Sequence, residues 1–141
     1  MAGKIIADTI ETGAGADIAT SYVVNGSAKA WVNFNGTGTI AARDSLNLSS
    51  LTDNAGGDYT VTFSSALGNT DYAPTGMPQI GITSSDAALT SIMIRTGTNA
   101  AGSATTMTTT ANRILCKYVS TSNLNETDSA VVTYKADGDL A

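Results

Sequence analysis

The carboxylates are the residues of this sequence whose type and spacing could do chemistry. Asp53 and Asp58 bracket an Asn-Ala-Gly-Gly stretch, and Asp side chains together with loop carbonyls are oxygen ligands that Ca²⁺ accepts. The EF-hand loop pattern is absent, and Asp beside Asn and Gly commonly forms hydrogen bonds within a turn. The spacing therefore favours a turn, and a cation bound between Asp53 and Asp58 is the alternative.

The sequence lacks most of the side chains that enzymes commonly use for catalysis. Glycoside hydrolysis needs paired carboxyl groups. The chain has only two Glu residues, Glu11 in its first segment and Glu126 in a polar stretch, and Asp in turns usually bonds to the local backbone. The absence of His removes Ser-His-Asp triads, Cys-His dyads and the commonest zinc ligand. Cys116 lies in an apolar, strand-like run, which predicts a buried and inert thiol. We therefore expect a protein with no enzymatic activity and no cofactor.

Charge and hydropathy exclude two further classes of partner. The net charge is −5 and the seven Lys and Arg residues are scattered, so binding of nucleic acid through phosphate neutralisation is not expected. An anionic membrane surface would repel such a chain. No apolar run approaches the ~20 residues of a transmembrane helix, so we expect no membrane insertion.

The composition indicates an all-β protein with a thin core. Ser and Thr make up about a quarter of the chain, and there are 14 Gly residues; Thr favours strands, and Gly serves turns. Much of the 42% hydrophobic content is Ala, which buries little apolar area per residue. Thin cores are often completed by self-association, so we expect an oligomer.

The clearest strand pattern lies at residues 28–34. Alternation places Val32 and Phe34 on one face and Trp31 on the other, where an aromatic side chain indicates a second buried surface, such as a subunit interface. Asn35-Gly36 then begins an Asn-Gly-Thr-Gly-Thr turn, which predicts a hairpin with a return strand at residues 40–48.

The remaining chain shows further short strands separated by polar stretches. Residues 59–63 alternate, with Tyr59, Val61 and Phe63 inward. Other predicted strands are residues 79–83, 89–94, 114–120 and 130–134, and residues 72–78 are predicted as a proline-containing crossing or edge segment. Residues 49–58 and 121–128 are predicted as loops. Residues 96–110 are predicted as a long loop, with an edge strand at residues 105–109 as the alternative for its end. No sustained helical period appears. Seven to nine short strands at this spacing predict an antiparallel β-sandwich.

The first 25 residues differ from the rest. Two short strands are predicted, at residues 4–10 and 18–24, with a turn at residues 12–17. This segment is too short to fold alone, so it must dock on another surface. We expect residues 1–25 to form an attachment segment and residues 26–141 to form the β-sandwich domain. The candidate attachment residues are Lys4, Ile5, Ile6, Asp8 and Ile10.

Several blocks resemble a module common in the structural proteins of tailed bacteriophages, often in tail-fibre-like proteins. They are AWVNFNGTG at residues 30–38, NLSS at residues 47–50 and GDYTVTF at residues 57–63, followed by Ala66 and Tyr72. The opening KIIADTIE at residues 4–11 is similar to the short leader of many such proteins. Together these blocks cover about half of the chain.

The resemblance implies a non-enzymatic virion component, jelly-roll-like and homotrimeric, assembled in the host cytoplasm. The chain lacks a long shaft, which favours a short tail-fibre or spike-like component attached to tail or capsid proteins. A capsid decoration protein (head fibre or cement) and a module that binds a host-surface glycan are the alternatives. The residues expected in the core or the subunit interface are Trp31, Phe34, Tyr59, Val61 and Phe63. The candidate surface recognition residues are Asn35, Thr37, Asp53, Asn54, Asp58 and Asn99.

Overall fold

The computed structural model describes residues 6–11, 13–79, 89–94, 97–98, 104–105, 107–120 and 123–139. Most of these residues lie in antiparallel strands, which confirms the all-β prediction. The strands are β1 (Thr9–Glu11), β2 (Asp17–Ala19), β3 (Ala28–Asn35), β4 (Ala41–Leu46), β5 (Leu48–Ala55), β6 (Asp58–Phe63), β7 (Ala73–Gln79), β8 (Leu89–Ile94), β9 (Gly97–Thr98), β10 (Ala104–Thr105), β11 (Ala111–Ser120), β12 (Asn123–Glu126) and β13 (Val131–Asp137). Within the described residues one helix, α1 (Thr20–Gly26), follows β2.

Two antiparallel sheets form the body of the protein. Sheet I has the strand order β4-β3-β13-β7, and sheet II has the order β12-β11-β6-β5, with β8 also paired to β11. In sheet I, Val32 of β3 lies opposite Tyr134 of β13. In sheet II, Val61 of β6 lies opposite Asn112 of β11. Both central pairings join strands that are distant in sequence, so much of the core depends on long-range contacts.

The inward faces of the two sheets share one hydrophobic cluster. Alternate residues point to the same face of a strand, which is why Val32 and Phe34 of β3 and Tyr59, Val61 and Phe63 of β6 are all buried. Aromatic contacts join the sheets directly: the rings of Phe34 and Tyr59 meet edge-on at 5.2 Å between centroids. Such pairs contribute stability beyond the area they bury.

The chain passes from β4 of sheet I to β5 of sheet II at Asn47. This residue has a φ of 56°, and Asn tolerates the left-handed region because its side chain can bond to nearby backbone. Its Oδ1 accepts from the Ser65 amide at 2.7 Å, and its Nδ2 donates to the Ser65 carbonyl at 3.1 Å. The prediction of a loop at residues 49–58 is wrong, because most of that stretch is β5. Leu48 and Leu51 pack against the core there, and this packing outweighs the low strand propensity of the polar residues.

Three edge strands carry interruptions. β7, at one edge of sheet I, contains Pro74 and Pro78, which confirms the prediction of a proline-containing edge segment. The pairing of β4 with β3 shifts between Asn33 and Phe34, and the pairing of β5 with β6 shifts twice. Proline and bulges are tolerated at edges because no further strand needs an unbroken ladder there.

Two other stretches differ from the prediction. The segment at residues 121–128 contains β12, which pairs with the end of β11, and Lys117 Nζ lies 3.1 Å from Glu126 Oε1 across this pair. The alternative of an edge strand at residues 105–109 is wrong beyond Thr105. Residues 107–110 instead turn, and Thr108 Oγ1 accepts from the Ala111 amide at 2.9 Å. The strand predicted at residues 79–83 lies outside the described residues after Gln79.

The N-terminal residues form a hairpin and a helix. β1 pairs with β2 so that Ile10 lies opposite Ile18, and α1 follows at once. The strand predicted at residues 18–24 is therefore wrong after Ala19. The strand predicted at residues 4–10 is wrong at residues 6–8, because β1 begins only at Thr9. These residues therefore give no strand partner to the residues after Ala19, and helical hydrogen bonds satisfy the backbone there instead. In the described residues, no helix has the length and apolar character needed to cross a membrane.

Candidate functional site

A polar cluster that joins three buried residues to the exposed Asp128 lies at the end of the body where the β3–β4 loop meets the β5–β6 turn. The hydroxyl of Tyr59 lies 2.8 Å from the carbonyl oxygen of Gly36 and 2.9 Å from Oδ1 of Asp128. The same Asp128 oxygen accepts from the Gly57 amide at 2.7 Å. The Asn-Gly and Gly-Asp-Tyr motifs therefore meet in space through Tyr59 and Asp128. We refer to these four residues as the Tyr59 cluster.

Two positions of the Tyr59 cluster require glycine. A Cβ atom on Gly36 would lie 2.5 Å from the Tyr59 hydroxyl. Gly57 has a φ of +70°, and a Cβ there would lie 2.5 Å from the amide nitrogen of Thr127. Side chains at these positions would collide with groups that are themselves fixed by hydrogen bonds. The glycines of both motifs are thus explained by packing.

Asp58 belongs to a bidentate ion pair. Arg113 Nε donates to Oδ1 at 2.7 Å and a terminal guanidinium nitrogen donates to Oδ2 at 2.6 Å, and the Asp58 side chain is 4% exposed. The hydrogen bond to Asp58 raises the pKa of Arg113. A cation bound between Asp53 and Asp58 would have to displace this guanidinium. In the described part of the chain, no group of three or more Asp, Glu, His or Cys residues could hold a metal ion.

Burial raises the pKa values of several ionisable groups of the core and so favours their neutral forms. Burial, followed by the hydrogen bond and charge of Asp128, raises the pKa of the Tyr59 hydroxyl above its usual value. Burial raises the pKa of Tyr72 to about 12. Burial and the charge of Asp128 raise the pKa of the Cys116 thiol to about 12. At neutral pH these groups act as hydrogen-bond donors or as packed side chains.

The candidate recognition residues differ in their surroundings. Asn35 Oδ1 accepts from Thr37 Oγ1 at 2.9 Å, and its Nδ2 donates to the Thr37 carbonyl at 2.7 Å, so Asn35 holds its own loop. Asp53 and Asn54 are exposed on β5, where Asn54 Nδ2 donates to Thr60 Oγ1 at 2.9 Å. Asp58 is buried in its ion pair, and Asn99 lies outside the described residues.

The N-terminal residues 6–26, which we call the arm, are apolar and exposed. Ile6 is 83% exposed and Tyr22 is 76% exposed. No residue of β1, β2 or α1 is buried. Of the candidate attachment residues, Ile6, Asp8 and Ile10 are exposed, whereas Lys4 and Ile5 lie outside the described residues. Ile6 and Tyr22 therefore leave most of their surface uncovered by the described part of the chain, and the other large apolar residues of the arm leave about half.

An open apolar groove of about 730 Å³ lies at the base of the arm. Val23 and Val24 of α1 form one wall, and Leu46 and Leu48, on either side of the Asn47 corner, form the other. Ser27, Ser45, Ser64 and Ser65 also line it. Among the described residues that line this groove, Lys29 carries the only charge, and its Nζ donates to the carbonyl oxygens of Val24 and, at 2.7 Å, Ser27.

Trp31 lies on the outer face of sheet I. It is half-buried, unlike the core residues on the opposite face of β3. A shallow groove of about 310 Å³ lies beside it, and Asn33, Thr75, Thr133 and Lys135 are among its lining residues. Trp31 is therefore the one predicted core or interface residue that lies outside the shared core.

Sequence patterns missed three residues that organise these regions. Asp128 and Arg113 are distant in sequence from the motifs they anchor, and Lys29 alternates with core residues in β3. The signal for Arg113 was a charged residue inside an apolar strand, which indicates an ion-pair partner when such a strand is buried. Asp128 had only the weak signal of an acidic residue just before a strand.

Comparison of the chain with models of protein families, with curated proteins and with solved structures found no match. Function is therefore inferred from the arm, the two grooves and the Tyr59 cluster.

Proposed function

We propose that this chain is a non-enzymatic structural protein of a bacteriophage virion, a short tail-fibre or spike-like component. Residues 26–141 form a jelly-roll-like β-sandwich that assembles as a homotrimer, and residues 1–25 attach it to tail or capsid proteins. The resemblance of the GDYTVTF and AWVNFNGTG blocks to phage modules motivates the assignment. The protein is assembled in the host cytoplasm and resides in the virion.

The arm is the observation that carries this proposal. Six of the described large hydrophobic residues with high exposure lie within it: Ile6, Ile10, Ile18, Tyr22, Val23 and Val24. Exposed apolar side chains grouped in this way mark interaction surfaces. The side chains of Ile6 and Tyr22, which are 83% and 76% exposed, gain further burial only when another surface covers them. Attachment to a larger particle supplies such a surface.

The Tyr59 cluster also supports a structural role. Its polar groups bond to one another across loops, and the Asp58–Arg113 pair joins β6 to β11. The phage-like motifs therefore supply turns and packing instead of a reactive group. This use of the motifs fits a scaffold whose surfaces, and not a catalytic centre, make the protein's contacts.

Mass spectrometry of purified virions tests the proposal. Particles of the phage that carries the gene are expected to contain this chain at a copy number that is a multiple of three. The variant Ile6→Ser is expected to be depleted from particles at least tenfold, whereas Thr37→Ser, at an exposed loop, is incorporated normally. Virions that lack the chain altogether would disprove the assignment.

Binding of a host-surface glycan is a second candidate, and Trp31 is the observation that favours it. A half-exposed indole on a sheet face, with Asn33, Thr75, Thr133 and Lys135 around its groove, offers both an apolar platform and hydrogen-bonding groups. The chain has one Trp, so its fluorescence reports on this groove alone. Titration with polysaccharide purified from the host envelope should shift that fluorescence. Because Trp31→Ala lacks the fluorophore, isothermal titration calorimetry of both proteins should show binding by the native chain and none by Trp31→Ala. A flat titration would remove the candidate.

A further inference from the structure

We propose that Asn25 is a site of spontaneous covalent modification, where deamidation alters the junction between the arm and the body. The chain contains two Asn-Gly pairs, Asn25-Gly26 and Asn35-Gly36. Deamidation is easiest where Gly follows Asn, because Gly has no Cβ to obstruct its backbone nitrogen and adopts many conformations. The two pairs have opposite surroundings, and only the first is placed to react.

The reaction consumes water and needs no other reactant. The backbone nitrogen of Gly26 loses its proton and attacks the side-chain carbonyl carbon of Asn25. The bond from that carbon to the amide nitrogen breaks, ammonia leaves, and a succinimide ring closes. Water then opens the ring at either carbonyl carbon. One product is aspartate; the other is isoaspartate, in which the main chain runs through the former side chain and gains a methylene. No oxidation state changes.

Asn25-Gly26 is accessible to this attack. Both residues are exposed, and a Cβ atom on Gly26 would meet nothing within 4 Å. In the described part of the chain, no hydrogen bond holds the Asn25 side chain. The side-chain carbonyl carbon can therefore turn toward the Gly26 nitrogen without breaking a contact.

The helix that contains this pair protects it only weakly. Gly26 is the last residue of α1, which has seven residues, none of them buried, and no side-chain cap at its N-terminus. A helical amide at this position bonds to a carbonyl one turn earlier, so attack waits until that turn opens. Isolated helices shorter than about 12 residues are marginal in water, and terminal turns open at little cost in free energy.

Asn35-Gly36 is closed to the same reaction. The Asn35 side chain is held in its loop by the two bonds to Thr37 described above. The Gly36 amide donates to the Ser129 carbonyl at 2.9 Å, so the attacking nitrogen is already bonded. The Tyr59 hydroxyl fills the space beside Gly36 and restricts its rotation. Reaction at Asn35 therefore requires the β3–β4 loop to leave the body.

The reactive pair lies inside a clasp that fixes the end of α1. Lys29 Nζ donates to the carbonyl oxygens of Val24 and, at 2.7 Å, Ser27, which flank Asn25-Gly26 on its two sides. The additional methylene of isoaspartate lengthens the main chain between these two carbonyls, so one ammonium group can no longer hold both with the present backbone geometry. We expect the isoaspartate form to loosen α1 from the body and to leave the two sheets intact.

Peptide mapping of the full chain tests the site of modification. Trypsin cleavage after Lys4, Lys29 and Arg43 separates the two pairs: peptide 5–29 has Asn25 as its one Asn, and peptide 30–43 holds Asn33 and Asn35, which fragmentation distinguishes. The native protein is incubated at pH 8 in heavy-oxygen water and digested in ordinary water, so only deamidation during incubation carries the isotope. Asn25 is expected to react at least tenfold faster than Asn35.

Denatured protein provides the matched comparison. In guanidinium chloride the surroundings of the two Asn-Gly pairs are lost, so their rates should agree within about twofold. Equal rates in native buffer would overturn the proposal, as would an Asn25 rate in buffer more than tenfold below its rate in denaturant. Gly26→Ala places a methyl group beside the attacking nitrogen without a clash and should slow the reaction at Asn25 at least tenfold. An unchanged rate would exclude the succinimide route.

Chymotrypsin cleavage after Tyr22 tests the loosening of α1. Tyr22 is 76% exposed, but cleavage needs the helix around it to open. Isoaspartate molecules in a deamidated sample should be cleaved at least threefold faster than the variant Asn25→Asp, which carries the new charge without the additional methylene. Equal cleavage would show that the clasp survives, and this part of the proposal would be wrong. Both experiments use the purified chain, so neither outcome depends on whether the chain is present in virions.

Discussion

The hydroxyl of Tyr59 lies 2.9 Å from Oδ1 of Asp128, a residue 69 positions later in the chain. Through this contact the carboxylate connects β6 to the segment that leads into β13, and it also accepts from the Gly57 amide. One carboxylate thus fixes the loops at one end of both sheets.

Removal of the Tyr59 hydroxyl should destabilise the protein without changing its fold. Tyr59→Phe leaves the buried Gly36 carbonyl and the Asp128 carboxylate without this donor, at a cost of about 1–3 kcal/mol. Urea denaturation followed by circular dichroism measures the loss. Asp128→Asn keeps an acceptor oxygen and should cost less than Asp128→Ala. Equal losses for the two Asp128 variants would show that the oxygen has no such role.

Gly57→Ala should be far more damaging than Gly56→Ala. At Gly57 a methyl group meets the backbone of Thr127 and of Cys116, and φ is +70°; at Gly56 nothing lies within 4 Å. Backbone strain at such a position costs about 1–3 kcal/mol, to which the collision adds. Thermal unfolding of the two variants provides a comparison at adjacent positions. A similar melting temperature for both would contradict the described turn.

Alkaline pH should destabilise the fold. The folded-state pKa values of Cys116 and Tyr72 are raised to about 12 from ordinary values of 9.0 and 10.0. Because the neutral forms are favoured in the folded state, their contribution is complete below the ordinary pKa and is lost as pH rises toward about 12. Each group should lower the free energy of unfolding by roughly 1.4 kcal/mol per pH unit across its window. Urea titrations between pH 8 and pH 11 would show a flat profile if these groups were solvated.

The Cys116 thiol should be unreactive in the folded protein. It is fully buried, and its raised pKa keeps the thiolate fraction small. Labelling with a thiol-specific disulfide reagent at pH 8 should therefore follow unfolding, with a rate that rises in urea as the folded fraction falls. Cys116→Ser serves as the unlabelled control. Rapid stoichiometric labelling in buffer would show that the site is accessible.

Sequence patterns predict the body better than its connections. Alternation in β3 and β6 identifies their buried faces because each strand turns one face toward the shared hydrophobic core. β5 is missed because its stability comes from pairing with β6 and from Leu48 and Leu51 on the core, not from its own polar residues. The helix at Thr20–Gly26 is missed because it depends on β1 beginning only at Thr9, and that is a property of the partner strand.

The candidate sites show the same division. The turn character of the stretch that begins at Asn35-Gly36 is local and therefore predictable, and the loop is held by the Asn35 side chain. The ion pair of Asp58 with Arg113 and the contact of Tyr59 with Asp128 join residues that are more than fifty positions apart. Such pairings follow from sheet order, which alternation alone does not determine. The sequence sets residues 1–25 apart as a segment, but the exposure of Tyr22 in a helix does not follow from its local pattern.

The interrupted edges of β4, β5 and β7 protect the protein against aggregation through strand addition when many copies lie close together. Proteins displayed in many copies on one particle experience very high local concentrations, and a long uninterrupted sheet edge there would template cross-β aggregates. Pro74 and Pro78 remove two amide donors from β7, and the shifted registers of β4 and β5 break the regular spacing that a foreign strand would need. In the assembly proposed above, neighbouring copies would therefore lie close together without adding strands to each other's sheets.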